Sequence, residues 1–208
     1  MMETLLSPAL LFLGIVACTA VLAIAADWRI AVLALLAQYL IVGALLARFV
    51  ALQVAAVNVV VGAIVCAILY VAARAAEHHP GGEGFITDSA RRSLVWNPTI
   101  NDLLFRAVAV AVIGAGLLGT GLSQAGFEGS NITLAPAAWL AAMGLVLVVL
   151  GRATFAAGLG LLTVQNGFEV FYSGLDTSPL VLGGLATVSL LLALAIAYGV
   201  GRDPEEGS

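Results

Sequence analysis

The chain has 208 residues, 62% of them hydrophobic and 10% charged, with a formal net charge of −4 and a mean hydropathy of +1.11. Soluble domains carry roughly 25% charged residues, so this composition excludes one and points to an all-α integral membrane protein. The apolar stretches are long and lack the period-two alternation of an outer-membrane barrel, and acids held in loops and termini give no basis for binding nucleic acid.

About 20 apolar residues are needed to cross a bilayer, and the chain supplies seven such stretches. The first covers residues 8–25; no basic residue precedes it, so it reads as a retained span rather than a cleaved signal. Asp27-Trp28-Arg29 forms a very short turn in which Trp28 is expected to anchor at the interface. The second span covers 30–47 and ends at Arg48, and the third covers 53–73 and stops at Arg74. Residues 75–101 form the longest polar segment, with a short interfacial helix expected over 88–96, capped by Asp88 and broken at Asn97-Pro98. Its His78-His79 pair has only Glu77 and Glu83 as nearby acids and matches no usual zinc spacing, so it reads as solvated loop.

The fourth span covers 102–122, with Arg106 snorkelling at its start. After a loop at 123–133 without a basic residue, residues 136–175 are apolar for too long to be one span. Gly151-Arg152 divides them into a fifth span, 136–150, and a sixth, 153–174. Asp176-Thr177-Ser178-Pro179 turns into the seventh, 180–200, before an acidic tail. Two parts of one membrane domain emerge, four spans over 8–122 and three over 135–202. With the N-terminus outside and the C-terminus cytoplasmic, Arg29, Arg74, Arg91, Arg92, Arg106, Arg152 and Arg202 fall inside and only Arg48 outside. That split is a strong positive-inside signal, and all eight basic residues are Arg.

Polar groups inside spans are expensive and need partners or a water path. Gln165 and Glu169 in the sixth span lie four residues apart, on one helix face. Glu169 is the carboxylate placed furthest from both ends of its span, which makes the turn a candidate proton- or cation-handling site. The competing structural account has Glu169 reaching the outer interface while Gln165 and Asn166 bond neighbouring helices. Asn58 in the third span and Gln38-Tyr39 in the second are explained adequately by interhelical hydrogen bonds, and Cys18 and Cys66 by packing. Asn131-Ile132-Thr133 has glycosylation spacing, but nothing indicates a eukaryotic secretory host. No phosphate loop, nucleophile constellation, metal cluster or redox-cofactor motif is present, so no catalytic residue, metal or cofactor is expected.

Residues 135–202 resemble the small membrane subunits of complex I-like assemblies. The resemblance rests on Arg152, on Gly160-Leu161-Leu162-Thr163-Val164-Gln165-Asn166-Gly167, on Ser178-Pro179-Leu180-Val181 and on Gly184-Leu185-Ala186-Thr187, with weaker matches from Gln38 onward and at Tyr70-Val71-Ala72-Ala73-Arg74. They are similar to hydrogenase-4 component E, whose C-terminal half is similar to the three-helix subunit K of NADH:quinone oxidoreductase. The resemblance implies a multi-pass subunit of a bacterial inner membrane, packed between larger antiporter-like and quinone-side subunits. It further implies a polar axis for proton or sodium translocation, with Glu169, Gln165, Asn166, Asn58 and Gln38 as the candidate path. The departures are as informative. The motif carboxylate of such subunits corresponds to Gln165, an acid of their last span to Val188, and a lysine of the third span falls near Val61. Glu169 lies on the same face as Gln165 and about 6 Å nearer the exterior. Two accounts follow, a structural spacer with a degenerate axis and a relay shifted to Glu169, with the spacer slightly favoured. A stand-alone small transporter or channel is the alternative, weakened by the absence of a clear inverted repeat.

Overall fold

Alternation of apolar runs with capping residues and short turns leaves helix as the conformation that satisfies every backbone group in a lipid environment. The computed structural model describes residues 7–25, 27–48, 50–77, 108–109, 111–116, 133–151, 154–175 and 178–200. They form helices α1 (Pro8–Ile24), α2 (Trp28–Leu46), α3 (Leu52–Glu77), α4 (Leu134–Leu150), α5 (Thr154–Ser173) and α6 (Pro179–Val200). Residues 111–116 are also helical; the rest of the expected fourth span, most of the 75–101 segment and Arg152 lie outside the described residues.

Local chemistry sets the boundaries. Ser7 caps α1 by accepting the Leu10 N–H, with Pro8 in the first turn where its missing N–H costs nothing. Asp27 caps α2 by accepting the Arg29 N–H. Five helices end within two residues of the expected spans, but α3 does not. It continues through Arg74 to Glu77, so residues 75–77 belong to helix rather than to the polar loop. A charged side chain does not end a helix; it only marks where the helix leaves the apolar layer. Helices α2, α3 and α6 are each long and apolar enough to cross a membrane, while α1 and α4 are apolar but of 17 residues. These features are compatible with a membrane protein.

Around the bundle, α1 packs on α2, α2 on α3, α3 on α6, α6 on α5, and α5 on α4, which returns to α1. Helix α2 also meets α5 across the ring. In lipid, helices gain little from hiding apolar surface, so close approach through small residues has to supply the packing. The tightest pair is α4 with α5. A Cβ on Gly144 would stand 2.6 Å from the Val164 nitrogen and 2.7 Å from the Gly160 oxygen, and one on Gly160 would stand 2.7 Å from the Val148 nitrogen. Only hydrogen fits between those backbones.

Two tryptophans tie the ring together. The Trp139 indole N–H of α4 donates to Thr19 Oγ of α1 at 2.8 Å, and Phe12 meets the Trp139 ring edge-on at 6.4 Å. Trp28 corrects the expectation of an interfacial anchor. It is only 6% exposed and packs on Tyr70 of α3, ring centroids 5.3 Å apart, with the Arg29 guanidinium over its ring. The short turn folds the indole back on α3.

Candidate functional site

Hydroxyl and amide side chains behave differently inside this bundle. Thr163 donates to the Leu159 carbonyl, Ser173 to Val170 and Ser189 to Leu185, each within its own helix. Short hydroxyls reach back to the preceding turn and so satisfy themselves. Amides cannot do this without a partner. Both polar atoms of Gln38 and both of Asn166 are buried with no protein partner, as are Asn58 Nδ2 and the Tyr39 hydroxyl. A buried unsatisfied group costs about 1–3 kcal/mol, so each of these atoms calls for a partner such as an ordered water.

Helix geometry spreads these groups over about 9 Å along the helix axes. The turns joining α2 to α3 and α5 to α6 lie at the same end of the bundle. Counting inward from that end at 1.5 Å per residue, Glu169 is four residues from the end of α5 (about 6 Å) and Asn58 six from the start of α3 (about 9 Å). Tyr39 and Asn166 are each seven residues in (about 10 Å), and Gln38 and Gln165 eight (about 12 Å). Ser189 is ten residues into α6, about 15 Å. These polar groups on four helices therefore lie in the half of the bundle nearest those turns, at depths of about 6–15 Å.

The carboxyl of Glu169 is enclosed by the bundle. Although it lies in the last stretch of α5, it is only 2% exposed. The carboxyl does not reach out to the interface. It is within electrostatic reach of Tyr39, whose ring fills the notch left by Gly62 of α3 and whose hydroxyl interacts with Ser189 of α6. The Tyr39 oxygen nevertheless has no partner in good hydrogen-bond geometry. Cys66 of α3, buried and unbridged, also lies within electrostatic reach of Tyr39. Among the described residues no arginine is paired with Glu169.

Gln165 turns to α6, where its Nε2 donates to the Leu185 carbonyl at 3.3 Å, the same oxygen that accepts Ser189 Oγ at 3.2 Å. Gln165 and Ser189 thus share the Leu185 carbonyl as acceptor. Of the five expected path residues, Gln165 makes a hydrogen bond to another helix, and Glu169 is buried within electrostatic reach of Tyr39. Asn166, Asn58 and Gln38 are buried as well, and neither polar atom of Gln38 or Asn166, nor Asn58 Nδ2, has a protein partner.

Sequence reasoning passed over two members. Tyr39 was read as a hydrogen-bonding residue and Ser189 was not singled out. Both signals were faint, since a lone Tyr or Ser in a span is ordinary, and only the α2–α5–α6 packing makes them neighbours of Glu169. Among the described residues no group of three or more His, Cys, Asp or Glu is positioned to hold a metal ion. No family model, no curated protein and no solved structure matches this chain.

Proposed function

We propose that the chain is a non-catalytic, accessory membrane subunit of an ion-translocating assembly of complex I-like, hydrogenase-like or Mrp-antiporter-like build. In this proposal it spans a bacterial inner membrane seven times, N-terminus outside, and packs among larger antiporter-like and quinone-side subunits. The observation that carries it is the buried polar layer around Glu169, 2% exposed with no arginine paired to it among the described residues. An ionisable group buried at membrane depth is a candidate for an ion or substrate path by default. The arginine asymmetry supports the orientation, and the motif likeness of residues 135–202 supports the type of assembly.

A subunit also needs a surface for its partners. The outward side of α6 carries Gly183 and Gly184, where an added Cβ would meet nothing within 4 Å, beside the exposed Leu180, Val188 and Leu191. Such a face suits lipid or a neighbouring helix equally, so it permits the proposal without carrying it.

Purification from the native membrane tests the subunit role: co-migration with large multi-span partners is the expected result. A stable homo-oligomer that conducts ions in liposomes would support the alternative, a stand-alone transporter, and reject it. Within the assembly, Glu169→Gln separates relay from spacer. The polar layer favours the relay, for which ion pumping falls by about tenfold or more, the usual scale for a lost proton-transfer group; unchanged pumping would leave only the spacer.

A further inference from the structure

Two buried amides on separate helices, Gln38 of α2 and Asn166 of α5, stand close to one height in the bundle. Gly14 of α1 meets Ile41 of α2, an antiparallel pairing that sets Thr19 opposite about position 36. Gly167 of α5 meets Ala137, Leu140 and Ala141 of α4, which sets Trp139 opposite Gly167. The 2.8 Å bond from Trp139 to Thr19 ties those levels together. Gln38 lies two residues beyond the shared height and Asn166 one residue short of it, so they are separated by about 4–5 Å along the axes.

Both amides also point to the seam where α2 meets α5 across the ring. On α2, Gln38 lies between the side that meets α1 through Ile41 and the side that meets α3 through Tyr39 and Gly43. On α5, Asn166 lies between Gly167, which faces α4, and Gly158, which faces α6. Each is about 140–160° round its helix from exposed residues, Leu33 and Leu40 on α2, Leu161 and Phe168 on α5. One turn to either side, Leu35 and Val42 of α2 and Leu162 and Val170 of α5 are fully buried, so aliphatic layers close the pair above and below.

Amide chemistry selects the occupant. Each amide offers two N–H donors and an accepting oxygen, and neither atom of either group has a protein partner. A bare cation would satisfy only the oxygens and an anion only the N–H groups. Water donates and accepts, and a buried water holds its place with about three such bonds. We propose that Gln38 and Asn166 form an internal water-binding site, in which long-lived water bridges α2 and α5. Asn166 and Glu169 are three residues apart on α5, a spacing that makes helix side chains neighbours. The bound water thereby gives the Glu169 carboxyl an acceptor for its proton, leaving carboxylate and hydronium with charge balanced. That last step rests on the relay reading of Glu169, whereas the water site rests on helix packing alone.

The test uses the full chain in micelles with 15N-labelled Asn and Gln side chains, whose resonances are assigned from their loss in Gln38→Met and Asn166→Leu. Both amides should show nuclear Overhauser cross-peaks to water, of the sign given by water that tumbles with the protein. In Gln38→Met, nearly the same shape, the Asn166 amide should lose its cross-peak, because the shared water falls below the bonds it needs. In Tyr39→Phe both cross-peaks should survive, since their source is water and not a neighbouring hydroxyl proton. Absence of cross-peaks in the unaltered chain, an Asn166 cross-peak unchanged by Gln38→Met, or loss of both in Tyr39→Phe would each overturn the site. Cross-peaks in a chain whose Glu169→Gln variant pumps normally would keep the site and reject the proton step. Missing cross-peaks with pumping lost in Glu169→Gln would reject the site and leave the relay standing.

Discussion

Replacement of Gly144 by alanine should separate α4 from α5, and the size of the effect follows from the contacts. The new Cβ would stand 2.6 Å from the Val164 nitrogen, 2.7 Å from the Gly160 oxygen and 2.7 Å from a Val164 methyl carbon. Carbon-to-heavy-atom contacts settle at roughly 3.5–4.0 Å, so relief requires about 0.8 Å or more of movement. Two of the three atoms are backbone and cannot rotate away. The movement must therefore be taken up by the helix pair. Gly160 and Gly167 sit in the same interface, with their own Cβ positions at 2.7–2.8 Å from backbone nitrogens of α4, so opening one contact loosens the others.

Overpacking of this kind costs about 1–3 kcal/mol, and loss of neighbouring contacts pushes Gly144→Ala toward the upper end. The control is Gly183→Ala on α6, where nothing lies within 4 Å of the added carbon. Alanine is the better helix former by up to about 1 kcal/mol, so that variant should be neutral or slightly stabilising. Equilibrium unfolding of the two variants in mixed micelles, followed by circular dichroism, measures the difference. Equal stabilities, or a larger loss at Gly183 than at Gly144, would refute the argument that α4 and α5 are held by backbone contact.

Two further substitutions probe other parts of the bundle. Trp139→Phe removes the indole donor to Thr19 while keeping an aromatic ring against Phe12, and should cost about 1 kcal/mol. In a double-mutant cycle with Thr19→Val, a coupling energy near zero would show that the 2.8 Å bond contributes nothing. Asn166→Leu replaces a fully buried amide without a protein partner by an apolar side chain of similar volume. It should leave the chain as stable or up to about 2 kcal/mol more stable. A clear loss of stability in equilibrium unfolding would show that the buried amide has a partner that leucine cannot replace.

Helix positions were legible in the sequence because their causes are local. An apolar run bounded by Ser7-Pro8, by Asp27 or by Ser178-Pro179 leaves little freedom in where a helix begins. The end of α3 was misplaced because Arg74 marks polarity, and helical hydrogen bonding continues past polarity until the backbone has reason to stop. Glu169 was legible as unusual, but its direction was not. A carboxylate four residues from a helix end has the reach to go either way, and only its burial against the neighbouring helices, to 2% exposure, shows that it turns inward. Gln165 and Glu169 share a face, as their spacing requires, yet one bonds a backbone carbonyl and the other does not. Trp28 misled for the same reason as Glu169, since tertiary contact with Tyr70 overrode what its position in a turn suggested.

The register of α6 gives the likeness to complex I-type subunits its sharpest physical test within this chain. The acid such subunits carry in their last span corresponds to Val188, and Val188 is 43% exposed. Ser189, one residue on, is buried and interacts with Tyr39. One residue along a helix is a rotation of about 100°, enough to move a side chain from the outer side of the bundle to its interior. Gln165, which corresponds to the motif carboxylate, is likewise only half-buried and reaches toward the Leu185 carbonyl of α6. An axis through positions 165 and 188 would therefore run along the outer side of the α5–α6 pair and need a neighbouring subunit to enclose it. Positions 165 and 188 carry no acid in this chain, and Glu169, the buried carboxyl among the described residues, lies in the interior of the bundle instead.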